Sequence, residues 1–146
     1  MIIKRIELIH IAIPLRRPFT TSFGTIADRP ALIIKMTADD GRVGYGESSP
    51  LYVPMSEPET VTDGIQALKR ILPQLLGLPV EKDLDITEHY RDEPYPVSLI
   101  GIEAAYLDLV AQNEGMSLSK LFGGTRSTIA LGESIGIQSS VQDVIR

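Results

Sequence analysis

The chain has 146 residues, 23% of them charged and 43% hydrophobic. That is globular composition, with room for one domain or for a small domain plus a fragment of another. Its 14 Lys and Arg stand against 19 Asp and Glu, a net charge of −5, and no basic cluster offers a footprint for nucleic acid or an anionic membrane surface. The absence of cysteine excludes disulfides and thiolate metal sites, and no apolar run approaches the ~20 residues of a membrane span. Lys4, Arg5, Glu7 and His10 interrupt the apolar N-terminus MIIKRIELIHIAI, which therefore does not read as a signal peptide; a cytoplasmic protein is expected.

β-Branched residues dominate Ile2 to Ile13, which predicts a strand that Pro14 stops. Pro14 to Pro30 then reads as a long loop of polar and turn-forming residues with two isolated aromatics, Phe19 and Phe23. ALIIKMTADDGRVGYGES reads as a hairpin. Leu32, Ile34 and Met36 alternate with Ile33, Lys35 and Thr37, Asp40-Gly41 supplies the turn, and Val43 to Glu47 returns. Gly44 and Gly46 weaken that return strand, and such glycines mark a bulge or a close approach of another backbone. The expectation is a three-stranded antiparallel meander.

A second loop, SSPLYVPM, precedes a helix. Ser56 and Glu59 have capping-box spacing with Pro58 in the first turn, and Val61, Ile65, Leu68, Leu72 and Leu75 recur at helical spacing. Pro73 is expected to kink or break this helix, and Gly77 to end the short segment after the break. Asp85 and Glu88 predict a cap for a short helix through Arg91. SLIGIEAAYLDLVAQNEG predicts a helix with Ser98 as N-cap and Gly115 just beyond its C-terminus. Its first three turns are apolar nearly all round, so burial on most of its surface is expected. Three strands and two other helices would struggle to cover it, which implies a missing partner or a second copy. LSKLFGG reads as a short helix, Ser134 to Gln138 as a buried strand, and Ser140 to Arg146 as the first turns of a helix. A strand feeding a helix is half of a βα unit. Its incompleteness implies a truncated chain, the front part of a larger enzyme.

Catalytic side chains are sparse. His10 falls in a strand and His89 on a short helix, far apart in sequence, and each reads as a packed or surface residue. There is no G-x-x-x-x-G-K-[ST] loop and no G-x-S-x-G elbow, and GYGE lacks the third glycine of a dinucleotide loop. Glu47, Glu103, Asp108 and Glu133 are scattered, and Glu103 and Asp108 do not share a helix face cleanly. No catalytic and no metal-binding residue is assigned. The two loops are the unusual feature, with Phe19 and Phe23 in one and Leu51, Tyr52 and Val53 in the other. Such side chains either tuck back into the small core or cover something, as a lid does.

Four segments in order, PFTTSFGT (Pro18 to Thr25), GYGESSPLY (Gly44 to Tyr52), IEAAYLDLVAQNEGMSLSKLFGG (Ile102 to Gly124) and ESIGI (Glu133 to Ile137), resemble the N-terminal capping domain of the enolase superfamily, in its muconate-lactonizing subgroup. SFGT together with SIGI leans toward the o-succinylbenzoate synthases and N-acylamino acid racemases. The resemblance covers essentially the whole chain. It implies an α+β fold over residues 1–125, a three-stranded antiparallel meander followed by a helical bundle. Residues 126–146 would be a linker and the first βα unit of an incomplete (β/α) barrel, with Ile129 to Gln138 as its first strand.

The resemblance further implies that the loops bearing Phe19, Phe23, Leu51, Tyr52 and Val53 close over a small carboxylate substrate, and that Ser134 points into the same site. Such enzymes abstract a proton α to a carboxylate using Lys bases and Mg²⁺. By the same resemblance those groups belong to barrel strands beyond Arg146. This chain alone is therefore expected to be inactive, to bind no Mg²⁺ and to self-associate. The parent could be a racemase, a dehydratase or a cycloisomerase. A free-standing binding or interaction module without catalytic activity is the alternative.

Overall fold

In the computed structural model, which describes residues 1–55 and 57–145, three strands form one antiparallel sheet in chain order. They are β1 (Ile3–Thr21), β2 (Gly24–Ala38) and β3 (Val43–Ser48). Alternation decides the buried face: Leu32, Ile34 and Met36 are each 0% exposed. Across the register Ile6, Leu8 and His10 of β1 share that face, opposite Met36, Ile34 and Leu32. The β2–β3 turn falls at Asp40-Gly41 as expected, with Gly41 at φ +88° and the Asp40 carboxylate accepting the Arg42 N–H at 3.0 Å.

The long loop expected from Pro14 to Pro30 is instead the outer half of the β1–β2 hairpin. Pairing runs as far as Pro14 opposite Asp28, breaks, and resumes with Phe19 opposite Ile26, Thr20 opposite Thr25 and Thr21 opposite Gly24. Proline's fixed φ suits extended chain and only removes a donor, so Pro14 interrupts the register without ending the strand. Beyond the break the Thr20 and Thr25 hydroxyls meet at 2.9 Å across the ribbon. Gly24, at φ +149°, then takes the turn conformation that a side chain would resist.

Helix α1 (Val61–Ile71) begins later than the Ser56–Glu59 spacing suggested; Ser56 itself lies outside the described residues. Thr60 is the cap. Its hydroxyl accepts the Asp63 N–H at 3.4 Å while Asp63 Oδ2 accepts the Thr60 N–H at 2.9 Å. The Thr60 hydroxyl, with that backbone N–H, holds the Asp63 carboxyl below the usual carboxylate range. The break at Pro73 occurs as expected, α1 giving way to a 3-10 turn, Leu72–Leu75, and Gly77 follows at φ +84°. A second 3-10 turn, Ile86–Tyr90, is capped by Asp85, which accepts the Thr87 N–H at 2.9 Å; Glu88 pairs with Arg91 at 3.0 Å instead of closing a capping box.

Helix α2 (Pro96–Asn113) starts before Ser98, with Tyr95 at the cap position and Pro96 at the first turn, where a missing N–H is harmless. Ser98 is not the cap; it is buried inside the first turn. The cap comes from Glu59, a buried carboxylate whose Oε2 and Oε1 accept the N–H groups of Val97 at 2.9 Å and Ser98 at 2.6 Å. A carboxylate suits both the orphan donors and the positive end of the helix dipole. Gly115 closes the helix at φ +65°, as expected.

The apolar circumference of α2 finds most of its cover within the chain. A Cβ at Gly46 would come 2.6 Å from the Ala105 amide nitrogen, and one at Gly44 would come 2.8 Å from the Leu109 side chain, so β3 lies on the helix backbone itself. The Ser48 hydroxyl locks the contact, donating to the Ser98 carbonyl and accepting the Gly101 N–H at 3.0 Å. Leu99, Ile102, Ala105, Tyr106, Leu109 and Val110 are thereby buried. The Tyr106 hydroxyl accepts the Glu81 N–H at 3.0 Å and lies 2.9 Å from the Glu81 carbonyl. The expected shortage of cover is confined to one flank, where Ile100 is 58% exposed and joins Tyr45, Leu107, Leu118 and Phe122 along a groove of about 300 Å³.

After α3 (Leu118–Leu121) the chain runs without helix or strand to α4 (Val141–Ile145), whose first turn is held by Ser140, its hydroxyl accepting the Asp143 N–H at 3.3 Å. The strand expected over Ile129 to Gln138 is not formed, and Ile129, Leu131, Ile135 and Ile137 are 60% exposed or more. A parallel barrel strand is stabilised by neighbours on both edges and both faces, whereas among the described residues this segment hydrogen-bonds to the edge of β1 through the Ile137 N–H alone and forms no ladder. Arg146, the end of the expected helix, lies outside the described residues.

Substituting Gly46→Ala tests the sheet–helix contact. Overpacking against backbone, which cannot rotate away, costs about 1–3 kcal/mol, so thermal unfolding shifts down by roughly 5 °C. Gly132→Ala, where a Cβ would meet nothing within 4 Å, leaves the melting temperature unchanged. Equal melting temperatures for the two variants would contradict the packing described.

Candidate functional site: a cleft between the hairpin and the second loop

The end of β3 positions the site. Ser48 pairs with Leu32, so the part of β2 before Ala31 has β1 on one side and no third strand on the other. The second loop fills that place. Leu51, Tyr52 and Val53 form one wall of a cleft of about 160 Å³, and Thr25, Ile26, Ala27, Asp28 and Pro30 of β2 form the other.

Both ends of the second loop are fastened. The Leu51 carbonyl accepts the Val61 N–H at 2.9 Å, and Leu51 bridges to Thr60 in parallel pairing. Glu59 clamps the last turn of the loop to the N-terminus of α2 through the two N–H groups described above. Midway, the Tyr52 ring stands edge-on to His10 with 5.9 Å between centroids, its hydroxyl 3.4 Å from Nε2. Met55 reaches the hairpin tip, where a Cβ on Gly24 would be 3.3 Å from its methyl group.

Exposure separates the two readings of the loop side chains. Phe23 is 68% exposed, Val53 60% and Tyr52 47%, while Phe19 and Leu51 are half-buried. None of the five belongs to the core. Leu51, Tyr52 and Val53 come together on one wall, and Phe19 lies on the ribbon opposite Ile26 of the other wall. Phe23 occupies the turn at the tip. Ser134 is exposed and makes no hydrogen bond to the cleft among the described residues; it lies two positions before Gly136, which abuts the Phe19 ring.

Sequence reasoning missed the β2 wall because Pro14 to Pro30 read as loop. The signal available was Thr20 and Thr25 flanking a short turn, β-formers on either side of Gly24. It also missed His10 as a support of Tyr52, although strand parity puts His10 on the same face as Leu8.

The cleft presents apolar carbons, the Thr25 hydroxyl, the Tyr52 phenol and the Asp28 carboxylate. Among the described residues no three His, Asp or Glu side chains gather as metal ligands would. The phenol most perturbed is Tyr90, pushed up by burial and by the Glu103 and Asp85 charges, and it lines a different groove with Arg91 and Glu93. No helix among the described residues is long and apolar enough to cross a membrane.

The family profile of the mandelate racemase / muconate lactonizing enzyme N-terminal domain matches residues 5–123. An o-succinylbenzoate synthase from Geobacillus kaustophilus is 33% identical over 146 residues, a match covering 99% of this chain and 39% of that protein. An N-succinylamino acid racemase from Thermus thermophilus is 34% identical, covering 100% and 40%. Among solved structures, a dipeptide epimerase from Enterococcus faecalis, complexed with Mg and the dipeptide L-Leu-L-Tyr, is similar with a TM-score of 0.84 at 26% identity, over 94% of this chain and 39% of that one. A member of the enolase superfamily from Listeria innocua matches with a TM-score of 0.83 at 29% identity, over 99% and 40%. The chain thus spans about 40% of the length of the relatives it matches. The anchored meander, the helices packed on it and these likenesses agree: the chain belongs to the enolase superfamily and carries the N-terminal domain of its mandelate racemase / muconate lactonizing branch.

Proposed function

We propose that this chain is the specificity-setting cap of an enzyme that abstracts a proton α to a carboxylate. The observation that carries the proposal is the cleft between Leu51–Val53 and the β2 wall, where Tyr52 and Val53 remain exposed outside the core. In this reading residues 1–125 are the cap, and residues 126–146 are the linker and the first βα unit of a barrel. Phe19, Phe23, Leu51, Tyr52 and Val53 contact the variable part of a small carboxylate substrate, and Ser134 contacts it from the barrel side. The relatives' names support an acyl- or aminoacyl-substituted amino acid as the class of substrate, and a cytoplasmic setting is consistent with such metabolites. Mg²⁺ accompanies a relative, but the described residues of this chain do not gather the carboxylates to hold it. In this reading the part this chain plays is contact with the substrate.

In a full-length enzyme carrying this cap, Phe19→Ala removes apolar contact worth roughly 1–3 kcal/mol, a 10- to 200-fold loss in kcat/KM for a bulky substrate. A small substrate that does not reach the ring loses little, the reaction type is unchanged, and the melting temperature holds. A core phenylalanine would behave differently, costing about 3–5 kcal/mol of stability and impairing all substrates alike. That uniform loss, with a large fall in melting temperature, would sink the lid assignment.

The 146-residue chain by itself is expected to show no racemisation or dehydration and no stoichiometric Mg²⁺ binding in isothermal titration; micromolar binding would contradict the cap reading. It is also expected to self-associate, because Ile9, Ile11 and Ile13 at alternate positions of β1 are 37–53% exposed on one face of the sheet. Light scattering that reports a strict monomer at high concentration would refute this.

A further inference from the structure

The segment between α3 and α4 meets the hairpin that carries Phe19. β1 is an edge strand, so beyond its pairing with β2 its outer edge is open. Near the hairpin tip that edge is occupied. The Ile137 N–H donates to the Thr20 carbonyl at 2.8 Å. Beside it Gly136 lies flush with the Phe19 ring: a Cβ there would come 2.9 Å from both Cδ2 and Cε2, and 3.1 Å from the Thr20 carbonyl oxygen. Gly136 is not among the glycines with positive φ, so its backbone would admit alanine; the tightest obstacle to a Cβ is the Phe19 ring, with the Thr20 carbonyl oxygen close behind at 3.1 Å. On another side of the tip Met55 meets Gly24. The tip is held between the second loop and residues 134–138.

We propose that Gly136 is a positioning residue for the lid, the seat in which Phe19 rests, with the Ile137 N–H as the fastening that keeps the ribbon there. The seat rests on the reading of the hairpin as a lid, and it deepens that reading. The depth at which Phe19 sits against Gly136 sets how far the ring projects over the substrate, and so the size of the substituent that fits beneath it. A larger residue at 136 pushes the ring away from this segment, toward the space where the bulky part of the substrate would lie. Glycine at this position therefore favours the larger members of the acyl- or aminoacyl-substituted class. The segment that would carry Ser134 to the substrate thus also regulates the reach of the aromatic lid.

The test uses this chain with labelled phenylalanine, whose three rings (Phe19, Phe23 and Phe122) give separable NMR signals. Gly136→Ala is expected to move the Phe19 ring signals while leaving those of Phe122, and to speed exchange of the Ile137 amide by at least ~10-fold. Gly132→Ala, in the same segment but with open space at its Cβ, is expected to change neither. Adding Phe19→Leu to Gly136→Ala relieves the ring's share of the clash and is expected to restore most of the protection of the Ile137 amide, a rescue that a general loosening of the segment would not give. An unprotected Ile137 amide in the unaltered chain, equal effects of the two alanines, or no rescue would each overturn the seat. Because the residues altered are exposed or half-buried, folding is not at stake. The seat and the lid fail separately. Ring signals that move as expected, together with uniform kinetic losses in Phe19→Ala of the full-length enzyme, reject the lid and keep the contact. Unmoved signals with selective kinetic losses reject the seat and keep the lid.

Discussion

The contact on which the rest of the molecule depends is backbone against backbone. Gly44 and Gly46 let β3 settle directly on α2 at Gly101 and Ala105, with no side chains between them. That approach puts the Ser48 hydroxyl within reach of the Ser98 carbonyl and the Gly101 amide, which pins the end of β3 to the first turns of the helix. From there the chain must leave the sheet beside β2, and Glu59 then returns to cap the same helix. The second loop is therefore strung between two attachments to one helix, and its exposed side chains face the β2 wall because the scaffold leaves them no alternative place.

This arrangement separates a buried core from an exposed rim. The core is built on Leu32, Ile34, Met36, Leu68, Ile102, Tyr106 and Leu109, buried by the close helix–sheet approach. The rim consists of large side chains that remain exposed outside that core. Exposed aromatics carry a solvation penalty that a folded domain sheds unless they cover something. Their place on anchored but uncovered loops is the observation on which the proposed cap role rests.

Much of the scaffold was legible in the sequence because it follows from periodicity. Leu32, Ile34 and Met36 announced the buried face of β2, the glycines of β3 announced a close approach, and Gly77 and Gly115 ended their elements where expected. The misreadings share one physical cause, long-range hydrogen bonding that local spacing does not reveal. Ser98 looked like a cap, but Glu59, far upstream, supplies it. Pro14 looked like a stop, but pairing with Asp28 carries the strand past it. The apolar run around Ile135 looked like a strand, but a parallel strand needs neighbours on both edges, and among the described residues this run has a single backbone hydrogen bond to the edge of β1. For the site, the residues bearing the two loops were legible, while the β2 wall, His10 and Gly136 became visible only once the strands were in register.

The central claim is that specificity resides in this cap and chemistry elsewhere. The most direct measurement grafts residues 1–125 onto the barrel of an o-succinylbenzoate synthase relative and compares kcat/KM across N-succinylamino acids of graded side-chain size. The account predicts that the order of preference changes by tenfold or more (about 1.4 kcal/mol) between large and small members, while the reaction and its pH profile stay those of the barrel. A chimera that is folded and active, yet ranks the substrates in the same order as the enzyme that donated the barrel, would contradict it.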